Sequence, residues 1–490
     1  MKGAVRLVAL AGVLFSFAGC TVGPNYKRPV AQTPSAWKEQ PPFRASQPRD
    51  GVAKGDWWMV FQDEDLNRLE QEATKANQTV EVARNQLEQA RAAARIDAAA
   101  LYPTFNASPS VQRGRISGNR PTNGSTLLLS PVTQNTFAVP FNLNYEVDLF
   151  GGVRRNLEAG NAQYQAGGAN LANVLLTVQA ELAADYFQLR ELDAEIAVVN
   201  AGLDFQQKGL DLVERRHAGG IASGLDVAQQ RTVLDQTRTQ ALLLTQQRKQ
   251  YEHAVATLIG TPASQFSYAA KALQFTLPEI PVGIPSDVLE RRPDIAQAER
   301  TVAAQNALIG VAESALYPSI NLFGGGGVQS SAISKIVNAP SFVWSLGAGA
   351  AEPIVNGGRI HAQIELQKSA YGAAVATYRQ DVLTAFQQVE DGISGLSVLA
   401  EAAKSQDAAV QDAETNLRIA NDRYTGGITT YLDVITAQET LLANQRLATQ
   451  ILGQRLITSV YLVKALGGGW DQSSLASLHV NPDWKQAVRQ

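Results

Sequence analysis

Apolar and polar residues alternate strictly along one stretch in each half of the chain. Between residues 137 and 149 every odd position is apolar, whereas the even positions include Asn142, Asn144, Glu146 and Asp148. This alternation predicts a β-strand with one apolar and one polar face. Weaker patterns at 104–112 and 319–329 add a partner strand in each half, so each half is predicted to supply one β-hairpin. The alternating apolar positions are Phe137, Val139, Phe141, Leu143, Tyr145, Val147 and Leu149, and in the second half Phe342, Trp344, Leu346, Ala348 and Ala350.

Four such strands cannot form a membrane pore by themselves. Each run satisfies the roughly 9–11 residues that a transmembrane strand needs, but four strands are too few to close a barrel around a hole. Open sheet edges are not tolerated in lipid. The strands therefore either pack as a soluble sheet or are pooled by several chains into one barrel, and the export signal described below favours the pooled barrel.

The other patterns are helical. Residues 63–76 and 78–100 are rich in helix formers and stop at Tyr102-Pro103. More than sixty residues without a proline then separate two Gly-Gly pairs, at 151–152 and 219–220, and a continuous helix there would be about 95 Å long. Its apolar positions step by fours and threes, which predicts coiled-coil partners. Glycines 167, 168 and 202 are expected to bend or break this rod.

The two halves repeat one order of motifs. The stretch RHAGGIASGLDV at 216–227 recurs as RYTGGITTYLDV at 423–434, an offset of 207 (423 − 216), and the Leu-Tyr-Pro motif at 101–103 recurs at 316–318. We interpret the chain as a tandem duplication in which each rod turns back at its Gly-Gly pair. The helices that run back are predicted at Leu225 to Gly260 and Leu432 to Leu466.

The beginning of the chain is predicted to be an export signal. Lys2 and Arg6 precede the apolar run from Leu7 to Phe17, which is too short for a spanning helix. The run ends in Phe17-Ala18-Gly19-Cys20, which resembles a bacterial lipoprotein box. Cys20, the only cysteine in the sequence, is therefore the predicted lipidation site, with a chance cysteine near the cleavage point as the alternative.

The residue after Cys20 predicts the destination. Because Thr21 rather than an aspartate follows, the usual sorting rule sends the lipoprotein to the outer membrane. Prolines are frequent from there to residue 55, which favours an extended tether over regular structure.

These patterns divide the chain into six parts. They are a signal peptide at 1–19, a lipidated tether at 20–60, a first repeat at 61–260 (β-hairpin about 104–149, helical hairpin about 153–260), a linker at 261–285, a second repeat at 286–467 (β-hairpin about 319–355, helical hairpin about 358–466), and a tail at 468–490. Residues 471–490 are expected to be poorly ordered.

Composition and motifs argue against catalysis and nucleic-acid binding. With 45 acidic and 42 basic residues there is no basic excess to indicate a nucleic-acid partner. The four histidines do not fall at metal-ligand spacing. Residues Gly324 to Gly327 are not followed by Gly-Lys-Ser/Thr, so a glycine-rich strand is favoured over a phosphate loop. We expect no enzyme, no metal site and no cofactor apart from a covalent lipid at Cys20.

The ordered set of motifs resembles the TolC-like outer membrane factors, and within them the lipoprotein branch of the OprM and NodT type. The resemblance covers about residues 20–470. It implies a mixed α/β membrane protein: a homotrimeric outer-membrane β-barrel, with four strands from each protomer, that continues into a long periplasmic α-helical barrel and is built from two tandem repeats. The motifs are the lipoprotein box, Trp57-Trp58, the paired Leu-Tyr-Pro motifs, Asp148-Leu149-Phe150-Gly151-Gly152 against Asn356-Gly357-Gly358-Arg359, Glu290-Arg291-Arg292-Pro293-Asp294-Ile295, and the paired Gly-Gly-Ile turns.

The resemblance also implies a gate at the periplasmic tip, where the turns contain Gly219, Gly220, Gly426 and Gly427. Asp433 matches an aspartate that forms a ring at the constriction, so a trimer would place three carboxylates around its axis and favour cations. Its repeat counterpart is Asp226. Both aspartates also have an alternative interpretation as helix N-caps.

Other positions of the implied gate differ from the family pattern. Tyr424 matches a tyrosine that latches the inner hairpin to its neighbour, and its repeat counterpart, His217, is expected to be a solvated turn residue. Thr436 stands at the next acidic position of the family. Thr429 stands where some members carry a latching arginine.

The favoured function is an outer-membrane exit channel of a tripartite efflux system, which passes drugs or other small molecules from an inner-membrane pump. The implied partners are a periplasmic membrane-fusion adaptor, a pump of the resistance-nodulation-division (RND) type and outer-membrane lipid. The alternatives are a duct for type I protein secretion and a non-conducting lipoprotein scaffold that spans the envelope. The expected location is the outer membrane of a Gram-negative bacterium, with a lipid anchor and an extension into the periplasm.

Overall fold

The computed structural model describes residues 21–38, 56–118, 130–271, 277–278, 280, 288 and 290–481. The predicted signal peptide and the predicted lipidation site Cys20 lie outside the described residues, as do parts of the tether, the linker and the tail.

Long α-helices dominate the described part of the chain, and the two halves contain helices of equal length. After α1 (Glu64–Ala76), 22 residues form each of α2 (Gln78–Ala99) and α5 (Pro293–Ser314). The rods α3 (Gly152–Ala218) and α6 (Arg359–Thr425) have 67 residues each, and the helices that run back, α4 (Gly224–Leu258) and α7 (Tyr431–Ala465), have 35 each. Both predicted helical hairpins are therefore present.

The predicted break in the first rod is wrong. Helix α3 is continuous through Gly167, Gly168 and Gly202. The missing side chains leave room for residues packed on α3. A Cβ at Gly168 would overlap with the side chain of Leu478, and one at Gly202 would lie 3.2 Å from Leu442 Cδ1. Tertiary packing thus outweighs the weak helix propensity of glycine.

One antiparallel sheet joins the two halves. Its strands are β1 (Thr104–Ala107), β2 (Ser110–Ile116), β3 (Val132–Val147), β4 (Ser319–Ser330) and β5 (Phe342–Ala351). Both β1 and β2 pair with the same edge of β3, so together they occupy one strand position, and the sheet is four strands wide. Residues Gly324 to Gly327 lie inside β4, as predicted for a glycine-rich strand.

The pairing register gives this sheet one apolar and one polar face. Leu143, Gly324 and Leu346 lie opposite one another along one row, and the adjacent row on the same face contains Phe141, Gly326 and Trp344. Trp344 and Leu346 are 74% and 81% exposed. The other face carries polar residues such as Asn142 and Ser345. The described residues therefore leave a large apolar surface uncovered.

In each half, the helix that runs back ends against the start of a shorter helix. The side chain of Asn77, the N-cap residue of α2, donates to the Leu258 carbonyl oxygen of α4 at 2.8 Å. In the second half Arg292, the N-cap residue of α5, donates to the Ala465 carbonyl oxygen of α7 at 2.9 Å. Each contact satisfies a terminal carbonyl that the helix cannot satisfy itself. We call these two contacts the helix junctions.

The main apolar core contains residues of both rods, α1, α7 and the 3₁₀ helix Trp57–Phe61, and α1 packs on α3. Asp63 caps α1 by accepting from the Leu66 N–H at 3.0 Å, and Tyr186 donates to the same carboxylate at 2.8 Å. Fully buried members of this core include Trp57, Leu66, Leu69, Tyr186, Phe187, Ile393 and Leu456. None of the described helices has an apolar stretch of the length needed to span a membrane.

Residues 21–38 have no helix or strand, but they are packed along the body rather than free of it. The Val22 N–H donates to the Phe150 carbonyl at the end of the sheet. Arg155 donates to the Val22 carbonyl at 3.2 Å and to Asn25 at 2.9 Å. Farther along, the Trp37 ring contacts Phe386 of α6 with centroids 6.1 Å apart. This part of the predicted tether is a strap across α3 and α6.

The expectation of a poorly ordered tail is wrong for residues 471–481. Residues Gln472–Ser477 form a 3₁₀ helix, and Leu475 is buried against Ala169 and Ala296. Asn161 of α3 also accepts from the Val480 N–H at 2.8 Å. The segment is therefore held by α3 and α5, and Gly168 gives room to its Leu478.

Candidate functional site at the helix-hairpin tips

The two Gly-Gly turns have the same backbone structure, because each ends a 67-residue rod in the same way. At the first tip (residues 215–227), the Ile221 N–H donates to the Arg216 carbonyl at 2.9 Å, and at the second tip (residues 422–434) the Ile428 N–H donates to Arg423 at 2.9 Å. This bond across six residues is typical of a Schellman motif. The motif requires one residue with a left-handed backbone conformation, which is Gly220 (φ +73°) at the first tip and Gly427 (φ +71°) at the second.

Gly219 and Gly426 have a different role. Their φ values are −83° and −76°, so a left-handed conformation does not require glycine there. Their N–H groups donate to the Arg215 and Asp422 carbonyls at 3.1 and 3.0 Å and close the last helical turn.

The two predicted gate aspartates are N3 residues of the helices that run back, so their interpretation as N-caps is wrong. The N-cap of α4 is Ser223, which forms a capping box with Asp226: Asp226 Oδ2 accepts from the Ser223 N–H and Oγ at 2.9 Å each. The N-cap of α7 is Thr430, and the carboxylate of Asp433 instead accepts from the hydroxyl of Thr429. A carboxylate in the first turn of a helix also interacts favourably with the helix dipole.

Asp433 and Thr436 lie on the exposed face of α7, one turn apart. The opposite face, with Tyr431, Val434 and Ile435, is buried in a small core at the tips. Thr436 donates to the Leu432 carbonyl of its own helix at 2.9 Å. Within this chain both side chains thus point away from the other hairpin, so they are available to an axis or a neighbouring copy.

Tyr424 connects the two tips of the chain. Its ring is 9% exposed and lies 4.9 Å from the ring of Tyr431, and the Arg216 guanidinium carbon is 4.6 Å from its centroid. A cation over an aromatic face is attractive. The equivalent residue of the first tip, His217, is exposed, and its Nδ1 lies 2.9 Å from the Ala222 carbonyl oxygen, as expected for a turn residue.

Two residues that contact Tyr424 at the tips were not predicted. Arg216 and Tyr431 sit within the repeated motifs, but neither was assigned a role from the sequence. The signal for Tyr431 is a difference between the repeats, because it replaces the glycine at position 224 of the first copy, whereas Arg216 recurs as Arg423 and gives no such signal. Tyr431 packs on Gly209 of α3, where a Cβ would lie 2.6 Å from the tyrosine hydroxyl. Burial raises the pKa of Tyr431 to about 12.

Among the described residues, no group of three or more histidine, cysteine, aspartate or glutamate side chains could hold a metal ion.

An exposed apolar face on an antiparallel sheet is typical of outer-membrane β-barrel proteins, and in this chain two paired rods with matched tips continue the sheet. The chain belongs to the outer membrane efflux protein family, whose sequence model matches residues 69–261 and 284–468. The resemblance inferred from the motifs is therefore confirmed. The outer-membrane location and the efflux function are confirmed at the level of this family.

Named relatives and solved structures agree. The chain is 32% identical to the probable efflux pump outer membrane protein TtgC of Pseudomonas putida, over 95% of this chain and 96% of that protein. It is 33% identical to the pyoverdine export outer membrane protein OpmQ of Pseudomonas aeruginosa, over 90% and 93%. The structure of the outer-membrane channel OprN is similar over 92% of this chain and all of that chain, with a TM-score of 0.85 and 28% identity. The open state of the Neisseria gonorrhoeae MtrE outer membrane channel is similar over 92% and 99%, with a TM-score of 0.80 and 26% identity.

Proposed function

We propose that three copies of the chain pool their sheets into one barrel that forms an exit channel through the outer membrane. The support lies in the sheet. Within the described residues, its two edges are formed by β1 with β2 and by β5, and each edge pairs on one side only. A sheet with two open edges and an exposed apolar face is unstable in lipid unless its edges pair. Three copies of a sheet that is four strands wide would close a barrel wide enough for a pore.

The rods would continue this pore across the periplasm. A helix of 67 residues is about 100 Å long, and each chain supplies two of them, each with a helix that runs back. Packed side by side in a trimer, the hairpins form the wall of a tunnel whose narrow end lies at the tips. The two halves of each chain then act as tandem repeats of the wall.

The cargo is proposed to be drugs or other small molecules, delivered by an inner-membrane RND-type pump through a periplasmic adaptor that docks on the hairpins. Relatives named as efflux pump and pyoverdine export outer membrane proteins favour small molecules over proteins.

Capture of the tagged protein from mildly cross-linked cells tests this function. We expect native mass spectrometry to give three copies of the chain, and the captured material to contain an adaptor and a proton-driven pump. Purified trimers should conduct ions in planar bilayers. A control with an unrelated tagged outer-membrane lipoprotein defines the background.

Two outcomes would contradict the proposal. An ATP-driven exporter as the captured pump would point to type I protein secretion. A chain that remains monomeric and conducts no ions, under conditions in which a known trimeric channel does, would leave the scaffold as the better explanation.

We further propose that Cys20 carries a lipid anchor. The adjacent described residue, Thr21, packs against Gly151 at the border of sheet and helix, where a Cβ on that glycine would lie 2.8 Å from Thr21 Cα. An acyl chain on Cys20 would therefore enter the membrane beside the barrel. We expect palmitate labelling in cells to mark the wild type and not Cys20→Ser, with expression of both checked by immunoblot. Equal labelling of both proteins would exclude this anchor.

A further inference from the structure

The contact between α3 and α7, which we call the inter-hairpin seam, joins the two hairpins of one chain. Three glycines admit the partner helix along it: Gly209 faces Tyr431, Gly202 faces Leu442, and Gly453 of α7 faces Glu191 of α3. A Cβ at position 453 would overlap with the Glu191 side chain. The helices therefore approach closely, and this part of the seam depends on how Glu191 is accommodated.

Glu191 and Glu195 are buried one helical turn apart on the face of α3 that meets α7. They are 3% and 2% exposed. Among the described residues, Glu195 is the one of the two with a cationic partner: Arg446 of α7 lies 2.6 Å from its Oε1, and Gln450 donates to the same oxygen at 3.1 Å. Glu191 accepts from Gln188 through Oε2, but its Oε1 is buried without a hydrogen-bond partner in the described chain.

The other charged groups near this pair are already occupied. On α3, Arg190 lies 3.8 Å from Asp63, and Asp193 is paired with Arg248 of α4. From α4 the amide of Gln240 lies against the Arg446 guanidinium. The charges that act on Glu191 are thus Glu195 on its own helix and Arg446 on α7. One guanidinium cannot pair fully with two buried carboxylates, since a buried charge without a partner is costly.

We propose that the inter-hairpin seam is a proton-controlled joint: a protonated Glu191 lets α7 pack closely on α3, and its ionisation loosens the two hairpins from each other. Burial, and next the charge of Glu195, raise the pKa of Glu191 to about 8. Asp185, farther up the same helix, has a pKa raised to about 6 by burial and by Glu181, so it titrates in a lower range. The joint is a property of one folded chain and does not depend on the proposed conduit.

The pH dependence follows from the proton balance. In the unfolded chain Glu191 loses its proton near its ordinary value of 4.5, whereas in the folded chain it keeps the proton up to about 8. The folded state therefore binds the extra proton between these values, and stability falls as pH rises through this window. Above it, the contribution of the bound proton is lost completely.

We expect the melting temperature of the detergent-solubilised protein to fall by roughly 2–5 °C between about pH 6 and about pH 9, and Glu191→Gln to reduce this fall. Burial also raises the pKa of Glu70, so a part of the fall that comes from Glu70 should remain in the variant. Glutamine has nearly the same shape and no charge. The matched control is Glu214→Gln on the same helix, where the glutamate is exposed and pairs with Arg231 at 2.7 Å; it should keep the wild-type pH profile.

Infrared titration of the protonated carboxyl band identifies the group directly. The wild type should show a component that disappears with a midpoint above pH 7, absent in Glu191→Gln. In Glu195→Gln, Arg446 becomes available to Glu191, so the midpoint should move to lower pH. Glu70, which is fully buried with both oxygens unpaired in the described chain, contributes a band that should remain in both variants.

Two results would overturn the joint. One is identical infrared titrations of wild type and Glu191→Gln between about pH 6 and about pH 9. The other is an unchanged midpoint in Glu195→Gln, which retains Glu191 and therefore keeps the test decisive even if Glu191→Gln does not fold.

Discussion

Replacing Asp433 with alanine is expected to raise the conductance of the assembled channel by a factor on the order of two and to weaken its preference for cations. The carboxylate lies on the exposed face of α7, where a trimer would bring three copies around the axis. It also binds the hydroxyl of Thr429 in the turn before the helix. Alanine removes both the charge ring, with any cations that bridge it, and the tie to the turn. Single-channel recordings in a salt gradient measure conductance and selectivity together.

The repeat provides a matched control for this substitution. Asp226 stands 207 positions earlier, also at the third position of its helix, and forms a capping box with Ser223. Asp226→Ala removes half of the capping box and a favourable first-turn charge, which should cost about 0.3–1 kcal/mol of helix stability. It should leave conductance and selectivity unchanged, because the implied constriction belongs to the second tip. Unchanged conductance in Asp433→Ala, or an equal rise in Asp226→Ala, would remove Asp433 from the gate.

Local periodicity was sufficient to predict the main elements. The alternation from residue 137 to 149 arises because side chains on a strand point to opposite faces, and it places β3 and the apolar face that contains Phe141 and Leu143. The steps of three and four along the rods reflect packing of α3 and α6 on partner helices. Neither signal needs knowledge of distant contacts, so both survive in a single sequence.

Contacts between distant residues explain what the sequence did not predict. Gly168 looked like a weak point of α3, but its lack of a side chain makes room for Leu478, and the same contact orders a segment that was expected to be loose. Polar residues along residues 21–38 gave no sign that Arg155 would bind this strap. Such pairs lie more than a hundred positions apart, and no local pattern encodes them.

The site shows the same limit. The turn glycines and the aspartates were found from the repeated motif, since turn chemistry is local. Whether an aspartate is the N-cap or the third helical residue depends on where the helix begins, and α4 and α7 begin at Gly224 and Tyr431, one residue before the predicted starts. The contact between Arg216 and Tyr424 joins two turns from different halves, so the repeat alone could not reveal it.

The largest loss of stability is expected for Gly467→Ala at the second helix junction. Gly467 has φ +95°, and a Cβ there would overlap with the Arg291 carbonyl oxygen. A left-handed conformation costs a non-glycine residue about 1–2 kcal/mol, and forcing an atom into packed backbone adds about 1–3 kcal/mol. The contact between Arg292 and Ala465 would be strained as well. Thermal unfolding of the purified assembly, together with its yield, measures the effect.

Gly427→Ala separates the cost of the left-handed conformation from the cost of the steric overlap. Gly427 has a similar left-handed conformation (φ +71°), but a Cβ there would meet no atom within 4 Å, so this variant should show the conformational cost alone and melt above Gly467→Ala. At the first helix junction, a Cβ on Gly260 would lie 2.5 Å from the Ala76 carbonyl oxygen, so Gly260→Ala should resemble Gly467→Ala. Equal melting temperatures for Gly467→Ala and Gly427→Ala would mean that the junction tolerates a side chain, and that end-to-end packing of α7 on α5 does not fix the position of the helix that runs back.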